Sequence, residues 1–405
     1  RLWSCRKKRC KSLIVFLNSL IRINLRRIMT NWKIYRLGDI STMKYGKLPP
    51  QNSCGQYPIW SGYRNVGFTD TYNCGKGTII VVARGVGGTG DVKIAKEDCF
   101  LTNLSIAVNI DTDICLPQYF YYKFYLSNLR YLDSGSAQSQ ITIDDLKRLQ
   151  ISLPPLEEQR RIAGILGAID DKIENNRRIN DNLEHQAQAL YKQWFVDNRS
   201  DDWERKPLSE IAEFIGGYSY KGNELVDSSA TAMATIKNFE RKGGFKVEGF
   251  KDIVASSKLK AEQHAELFDI LVAHTDLTQN ADVIGNAEIL LTFGGYTDVI
   301  FSMDLVKVLP KSNFPYKYLL AALLKNPYFK AHCLGYVNGT TVLHMSKKAL
   351  PEYVVACPPN SEADKMDMAF KVYYHKMAEI LQENETLATL RDTLLPKLMN
   401  GEIKL

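Results

Sequence analysis

The chain has 405 residues, of which 45% are hydrophobic and 24% charged, and this length predicts two or three domains with sizeable cores. Its eight cysteines form no C-x-x-C pair, so they indicate neither a zinc site nor a disulfide scaffold, and we expect a reducing cytoplasm. The net charge of +7 depends on the first 28 residues, because the others carry 43 basic and 45 acidic side chains. Bulk charge therefore gives no argument for nucleic-acid binding, which would need local basic patches.

The leading segment contains nine Lys or Arg and no acid, with an apolar run at 13–17. A signal peptide would place a small-residue cleavage site after that run, whereas Arg22 and Arg26 follow it. The run is also too short and interrupted to span a bilayer. We interpret residues 1–30 as a basic N-terminal extension, in which residues 1–28 are an upstream segment and Met29 is the natural start. A basic tail that contacts membrane or nucleic acid is the alternative.

Residues 31–155 are predicted to form a mixed α and β domain, because short β-branched and aromatic runs alternate with glycine. The runs TIIVVA at 78–83 and SIAVNI at 105–110 predict strands, and 119–132 predicts a helix.

Three glycines in this domain, Gly85, Gly87 and Gly90, match the dinucleotide-binding pattern G-x-G-x-x-G directly after a strand. That pattern binds pyrophosphate at the start of a helix. The alternating stretch DVKIAKEDCF follows instead and predicts a strand. We therefore expect no nucleotide site at these glycines.

Residues 156–198 contain no proline and few glycines, as a long helix requires. Seam residues alternate steps of four and three from Ile162 to Trp194. Residues 360–405 repeat this seam from Met366 to Leu398. A seam with a 3.5-residue period packs against another seam, so we predict that the helices pair; an amphipathic helix lying on its own domain is the alternative.

Two asparagines, Asn180 and Asn384, occupy the same position in the two seams. A buried polar residue at such a position costs stability but fixes the register of a coiled coil. We therefore predict a register role for both.

Residues 199–359 repeat the first domain. Trp32 and LGDI at 37–40 recur as Trp203 and LSEI at 208–211, at an offset of 171. The stretch GSAQSQITIDDL recurs as GTTVLHMSKKAL at an offset of 204, and a strand-like run and a Pro-Pro pair follow each copy. The second copy therefore carries about 33 additional residues in its interior. The predicted elements of this domain are strands at 269–273 and 298–303 and a helix at 316–334.

No catalytic motif emerges from the sequence. The glycine-rich run lacks the Lys and Ser/Thr of a P-loop, and the six histidines show no H-E-x-x-H spacing. Asn326-Pro327-Tyr328-Phe329 lacks the second proline of an N-P-P-aromatic methyltransferase motif, and we interpret it as a helix stop. The absence of nucleotide-binding, metal-binding and methyltransferase motifs together favours a binding protein over an enzyme.

The chain resembles the specificity subunits of type I restriction-modification systems over residues 31–405. The strongest stretch is Gly135–Phe195, with its loop, strand, L-P-P-L-x-E-Q turn and helix. YPIWSGYRNVGFTD and IIVVARGVGGTG add to the resemblance in the first half, and IKNFERKGG and ILVAHTDLTQNADVIG in the second. The second helix departs from the pattern, because NSEADKM stands at its start.

The resemblance implies an α+β architecture with internal pseudo-two-fold symmetry. Two mixed α/β target recognition domains in tandem, at 31–155 and 199–359, would be separated by two long antiparallel helices that form a coiled coil. These are the central spacer helix at 156–198 and the C-terminal spacer helix at 360–405.

The same resemblance implies a non-catalytic, cytoplasmic DNA-binding subunit that recognises a bipartite asymmetric site. Its partners would be double-stranded DNA, two modification (methyltransferase) subunits and restriction (motor-nuclease) subunits, with no membrane. The chain itself would need no cofactor or metal. Partner subunits would use S-adenosylmethionine, ATP and Mg²⁺ for adenine methylation and for restriction.

Candidate DNA-binding residues are polar side chains on loops, since Arg, Lys, Asn and Gln distinguish base pairs in the major groove. In the first domain they are Lys44, Lys47, Ser61, Arg64, Arg84, Ser136, Gln138 and Gln140. In the second they are Lys237, Arg241, Lys242, His274, Thr275, Asn338 and Thr340, with the basic and aromatic string KNFERKGGFK as the best phosphate patch. Solvated turns, surface charges and structural histidines are the alternatives.

Two other functional classes stay open at this point. A self-sufficient nuclease or methyltransferase would bind metal or S-adenosylmethionine by itself. A coiled-coil scaffold without a DNA role would leave the polar glycine loops unexplained.

Overall fold

The structure, a computed structural model, divides into two compact units. Unit 1 comprises residues 1–172 and 387–405, and unit 2 comprises residues 173–386. The residues that the structure describes are 32–49, 55–62, 64–85, 88–133 and 139–403. The basic extension at 1–30 and the candidate residues Ser136 and Gln138 lie outside them.

Unit 1 builds two sheets and a strand pair from its first globular segment. The strands are β1 (Lys33–Arg36), β2 (Ser41–Tyr45), β3 (Tyr57–Ser61), β4 (Arg64–Thr69), β5 (Ile79–Val82), β6 (Val92–Ile94), β7 (Phe100–Leu101), β8 (Ser105–Ile110) and β9 (Gln150–Leu153). The order β2-β8-β5-β6 is antiparallel throughout. In β4-β3-β7, β3 is antiparallel to β4 and parallel to β7, and β1 pairs antiparallel with β9.

The helices of unit 1 pack on these strands. They are α1 (Pro117–Tyr125), α2 (Ile143–Arg148) and the first part of α3 (Leu156–Lys192). The core joins the fully buried β5 to α1 and to seam residues of both long helices, including Ile162 and Leu398. A run of four β-branched residues suits such a strand because its side chains pack on both faces of the sheet.

Unit 2 follows the same plan with additional elements. Its strands are β10 (Glu204–Pro207), β11 (Ala212–Gly216), β12 (Thr231–Ala234), β13 (Lys251–Asp252), β14 (Ile270–Ala273), β15 (Thr275–Asp276), β16 (Ala287–Ile289), β17 (Asp298–Phe301), β18 (Leu305–Pro310), β19 (Val337–Asn338), β20 (Leu343–Met345) and β21 (Val354–Cys357). Its helices are α4 (Leu208–Ile211), α5 (Lys317–Leu324), α6 (Pro327–Leu334), α7 (Ala349–Glu352) and most of α8 (Asn360–Met399). A π-helical turn, Gln193–Asp197, follows α3.

The two units share one strand topology. The order β11-β18-β14-β16 repeats β2-β8-β5-β6, again with antiparallel neighbours. In β13-β12-β17, β12 is antiparallel to β13 and parallel to β17, and β10 pairs antiparallel with β21. Unit 2 adds the sheet β15-β20-β19. The repeat in the sequence therefore corresponds to a duplicated fold.

The long helices α3 and α8 pack together along the predicted seams. Within unit 2, Asn176 contacts Asn384, Asn180 contacts Met377, and the ring of Trp194 lies 5.6 Å from that of Phe370. Residue numbers rise along α3 as they fall along α8, so the pair is antiparallel. Every seam residue is buried or half-buried. The predicted α+β class with two long paired helices is therefore confirmed.

Two helix predictions are wrong in extent. The helix expected at 119–132 ends at Tyr125, and the one expected at 316–334 is divided into α5 and α6. Asn326 does more than stop α5, because its side-chain oxygen accepts from the backbone N–H groups of Tyr328 and Phe329 and thereby caps α6. Pro327 at the first position of α6 is compatible with a helix start.

No helix in the described part of the chain is both long and apolar enough to cross a bilayer. Its described cysteines are free and buried: Cys74, Cys99, Cys115, Cys333 and Cys357.

Candidate nucleic-acid interface

In unit 1, the loop between β7 and β8 brings several candidate residues together. The backbone N–H of Lys47 donates to Leu101 O at 2.9 Å, and that of Thr102 donates to Trp60 O at 3.0 Å. The N–H groups of Ala83 and Arg84 both donate to Leu104 O, at 2.8 and 3.1 Å. Three separate chain segments are thus fixed around residues 101–104, and we call this arrangement the rim of unit 1.

Gln140 joins the same rim through Arg84. The two residues form an antiparallel bridge, and the N–H of Ile141 donates to Ala83 O at 2.9 Å. Asp133 accepts from the backbone N–H of Gln140 at 2.8 Å, which fixes the end of the loop that precedes it. The tight turn after Ser61 also reaches Arg84, since a Cβ on Gly62 would lie 3.7 Å from the Arg84 carbonyl.

The rim presents polar side chains of several kinds. Lys47, Arg64 and Arg84 are exposed, while Ser61 and Gln140 are half-buried. Lys44 is exposed on the edge strand β2, where it lies opposite Ala107 of β8.

Unit 2 repeats this backbone arrangement around residues 302–304. The N–H of Ser302 donates to Ala234 O at 2.9 Å, as Thr102 does to Trp60, and that of His274 donates to Asp304 O at 2.8 Å, as Ala83 does to Leu104.

Two more bonds complete the rim of unit 2. The N–H of Tyr218 donates to Phe301 O at 2.7 Å, as Lys47 does to Leu101. That of Met345 donates to His274 O at 2.9 Å, as Ile141 does to Ala83. The two rims therefore share one main-chain hydrogen-bond pattern.

The side chains on the two rims differ. Lys47 in unit 1 corresponds to the buried Tyr218 in unit 2. Arg84 corresponds to Thr275, which is 4% exposed and whose hydroxyl donates to Asp304 at 3.0 Å. Gln140 corresponds to His344, since His344 opposes Thr275 as Gln140 opposes Arg84.

The other candidates of unit 2 lie around this rim. Asn338 opposes His344 on β19, and both Asn338 and Thr340 are exposed. His274 is half-buried, and burial together with electrostatic repulsion from the neighbouring His344 and Lys347 lowers the pKa of His274 below its ordinary value. Its imidazole is therefore neutral at pH 7.

The basic string of unit 2, residues 237–246, occupies the loop between β12 and β13. In unit 1 the equivalent strands, β3 and β4, are joined by residues 62–63 alone, so much of the added length of unit 2 lies here. Lys237, Arg241 and Lys242 are all exposed on this loop. We call residues 237–246 the basic loop.

Sequence reasoning missed the polar side chains that hold these loops in place. Asp304 accepts hydroxyl hydrogen bonds from Thr275 and Ser302, and the hydroxyl of Tyr45 accepts from the N–H of Ile143. In the sequence, Asp304 shows only the pattern of an aspartate in a turn after a strand. This pattern is common to many turns, so it does not identify a residue of the rim.

The predicted register residues have different partners. The Nδ2 of Asn176 donates to Asn384 at 2.9 Å, and the Nδ2 of Asn180 donates to the Met377 carbonyl at 3.3 Å. Among the described residues, the buried Oδ1 of Asn180 has no hydrogen-bond partner. The role of Asn180 and Asn384 in setting the register stays a prediction.

The unusual start of α8 also has a defined contact. At the start of α3, the side chain of Gln159 forms hydrogen bonds with the loop before α1. At the start of α8, Asp367 instead accepts hydrogen bonds from the backbone N–H groups of Tyr318 and Leu319, at 2.8 and 2.9 Å.

Within the described ranges, no three His, Cys, Asp or Glu side chains lie close enough together to hold a metal ion.

The sequence and the fold of this chain are similar to those of known proteins. Residues 29–185 match the model of the type I restriction modification DNA specificity domain. The matched region, residues 29–185, belongs to the family of DNA specificity domains found in type I restriction-modification systems.

Two curated relatives are similar to most of this chain. It is 24% identical to the type I restriction enzyme MjaIX specificity subunit of Methanocaldococcus jannaschii, over 93% of this chain and 95% of that protein. It is also 24% identical to the HindI specificity subunit of Haemophilus influenzae, over 65% of this chain and 71% of the relative.

A solved structure shows the same fold. The crystal structure of a type I restriction-modification S subunit from M. genitalium superposes with a TM-score of 0.56 and 21% sequence identity. The match covers 93% of this chain and 98% of that chain.

Proposed function

We propose that this chain is a specificity subunit that recognises an asymmetric, bipartite DNA site, with each unit contacting one half of it. The observation that supports this proposal is the pair of rims, which share one backbone frame and carry different side chains. Two rims with the same main-chain hydrogen-bond pattern could each contact a segment of one DNA duplex. Because their side chains differ, for example Gln140 and His344, the two rims could recognise different base pairs.

The proposal assigns the chemistry to partner subunits. Two modification subunits would methylate adenine with S-adenosylmethionine, and restriction subunits would use ATP and Mg²⁺ to translocate and cleave DNA. This chain would bring no cofactor or metal of its own. The helix pair α3 and α8 would dock the modification subunits and set the length of the non-specific gap between the half-sites.

Methylation mapping tests the proposal directly. The specificity subunit would be expressed with its modification subunit in a host without other adenine methylation, and methylated adenines would be located across the genome. We expect one motif with two different halves and a fixed gap. A single contiguous motif, or a palindromic one, would contradict the assignment of one half-site to each unit.

A further inference from the structure

The basic loop of unit 2 is held by side chains from the segment that precedes and forms β16. The N–H of Gly244 donates to Glu288 Oε1 at 2.5 Å, and Asn286 Nδ2 donates to Glu240 O at 2.8 Å. Gly243 and Gly244 have φ angles of 91° and 117°, which side chains other than glycine rarely adopt. Glu288 and Asn286 therefore hold the turn of the loop from outside, in addition to the hydrogen bonds within the loop.

Glu288 is itself fixed by a buried cluster of charges. It is 3% exposed, and its Oε2 lies 2.6 Å from Lys325 Nζ at the end of α5. Lys325 Nζ also lies 3.1 Å from Oε1 of Glu184 on the long helix α3. Burial disfavours the ammonium of Lys325, but the two carboxylates outweigh it and raise the pKa of Lys325 above its ordinary value.

The contacts form a continuous path within unit 2. It runs from the N–H of Gly244 through Glu288 and Lys325 to Glu184. A buried carboxylate is tolerated only when cations and N–H groups compensate its lost hydration, so Glu288 cannot shift without losing one of its partners. The position of the basic loop is thus linked to a helix of the spacer pair.

We propose that Glu288 is a positioning residue for DNA binding, which holds the basic loop so that Lys237, Arg241 and Lys242 lie along the phosphodiester backbone. This inference rests on the proposed function. Glu288 contacts no DNA itself; it acts through the main chain of the loop, and Lys325 ties it to α3.

Salt-dependent DNA binding by the full-length chain tests the inference. The probe is a fluorescein-labelled random-sequence duplex, because phosphate contacts do not depend on the target sequence. In a plot of the logarithm of the binding constant against the logarithm of the salt concentration, each phosphate contact contributes about 0.9 to the downward slope. Loss of three phosphate contacts in the triple variant Lys237→Ala, Arg241→Ala, Lys242→Ala should reduce the slope by about 2.7, and we expect Glu288→Ala to reduce it by about two to three.

Two further variants separate positioning from stability. Glu288→Gln keeps a side-chain oxygen for the Gly244 N–H and leaves Lys325 paired with Glu184, so it should retain most of the wild-type slope. Asp269→Ala is the matched control, because Asp269 is 3% exposed, pairs with Lys307 and Lys317 in the same unit and does not contact the basic loop. It should lower stability and leave the slope unchanged.

Gly244→Ala disturbs the contact between Gly244 and Glu288 by changing the loop instead of Glu288. This variant tests the inference even if Glu288→Ala does not fold. A Cβ at φ 117° strains the turn while the buried cluster stays intact, so the slope should fall again. A wild-type slope in either Glu288→Ala or Gly244→Ala would overturn the inference. So would an equal loss of slope in Asp269→Ala.

Failure of the proposed function gives a different result. A wild-type chain that does not bind the duplex at low salt would reject DNA recognition itself. A wild-type slope in the triple lysine and arginine variant would reject only the basic loop as a phosphate contact, and hence the role of Glu288. Methylation mapping would then still decide whether each unit contacts a half-site.

Discussion

Arg391 of α8 and Asp170 of α3 form an ion pair within unit 1, with Nη1 and Oδ1 2.7 Å apart. The guanidinium carbon of Arg391 lies 4.5 Å from the ring centre of Tyr125, and the hydroxyl of Tyr122 donates to Asp170 Oδ2 at 2.7 Å. Both tyrosines belong to α1. The ion pair therefore joins the two long helices to each other and to the globular part of unit 1.

Replacing Arg391 by Met should destabilise unit 1, because Asp170 would lose its ion-pair partner in a partly buried site. The side chains of Arg391 and Asp170 are 12% and 28% exposed, so we expect a loss of about 2–3 kcal/mol, below the range for fully buried pairs. Hydrogen exchange of the α1 amides measures this loss. Arg177→Met is the control, since its pair with Glu174 is exposed and should contribute about 0–1 kcal/mol. Equal effects of the two variants would contradict the assignment.

The contact between Asn176 and Asn384 should cost stability and restrict the register of the helix pair. Asn176→Leu alone leaves the amide of Asn384 without this partner and should cost about 1–3 kcal/mol. Adding Asn384→Leu should recover that loss and raise the stability above that of the wild type, since two apolar residues pack at the seam. A double-mutant cycle in thermal unfolding gives the interaction, and strict additivity of the two changes would show that the residues do not interact.

Lengthening the helix pair should change the gap between half-sites. One helical turn inserted into Asn175–Asn182, with a matching turn inserted into 379–386, adds a rise of about 5.4 Å, comparable to one or two base-pair steps. Because neither rim is altered, the half-site sequences should stay the same. Methylation mapping of the variant measures both properties. An unchanged gap would show that the helices do not set the spacing.

Gln140→Ala should alter one half of the recognised motif only, because Gln140 lies on the rim of unit 1. Gln138→Ala is predicted to affect the same half. His344→Ala, at the equivalent position of unit 2, serves as the reciprocal change and should affect the other half. Motifs from methylation mapping are compared for each variant. A change in both halves, or loss of all methylation, would reject the assignment of Gln140 to base recognition.

The stability of unit 2 should fall as the pH decreases below about 7, through the ordinary pKa of His274 near 6.5. Burial lowers the folded-state pKa of His274, so between the two pKa values the unfolded chain binds a proton that the folded chain does not. His274→Asn should therefore lose less stability than wild type between about pH 7.5 and 5.5. Some dependence should remain, since burial also lowers the pKa of His375. Equal losses in both proteins would exclude His274 as the cause.

The sequence by itself determined the duplication, the two long helices and the strands, because these depend on local periodicity. Ser105–Ile110 forms a strand with the predicted bounds, and every seam position from Ile162 to Trp194 is buried or half-buried. A strand, β6, follows the glycines at 85–90, as the alternating pattern there predicts. Such patterns are repeated over many residues, so a few exceptions do not obscure them.

Tertiary structure alone decided which side chains meet. Asn384 contacts Asn176 although the repeat aligns it with Asn180, because residues at equivalent positions of two antiparallel helices need not lie opposite each other. Glu288 and Lys325 are likewise unremarkable in the sequence, yet they share a buried cluster with Glu184. A single polar residue carries no periodic signal, and its partner lies far away along the chain, so only the folded chain brings the two together.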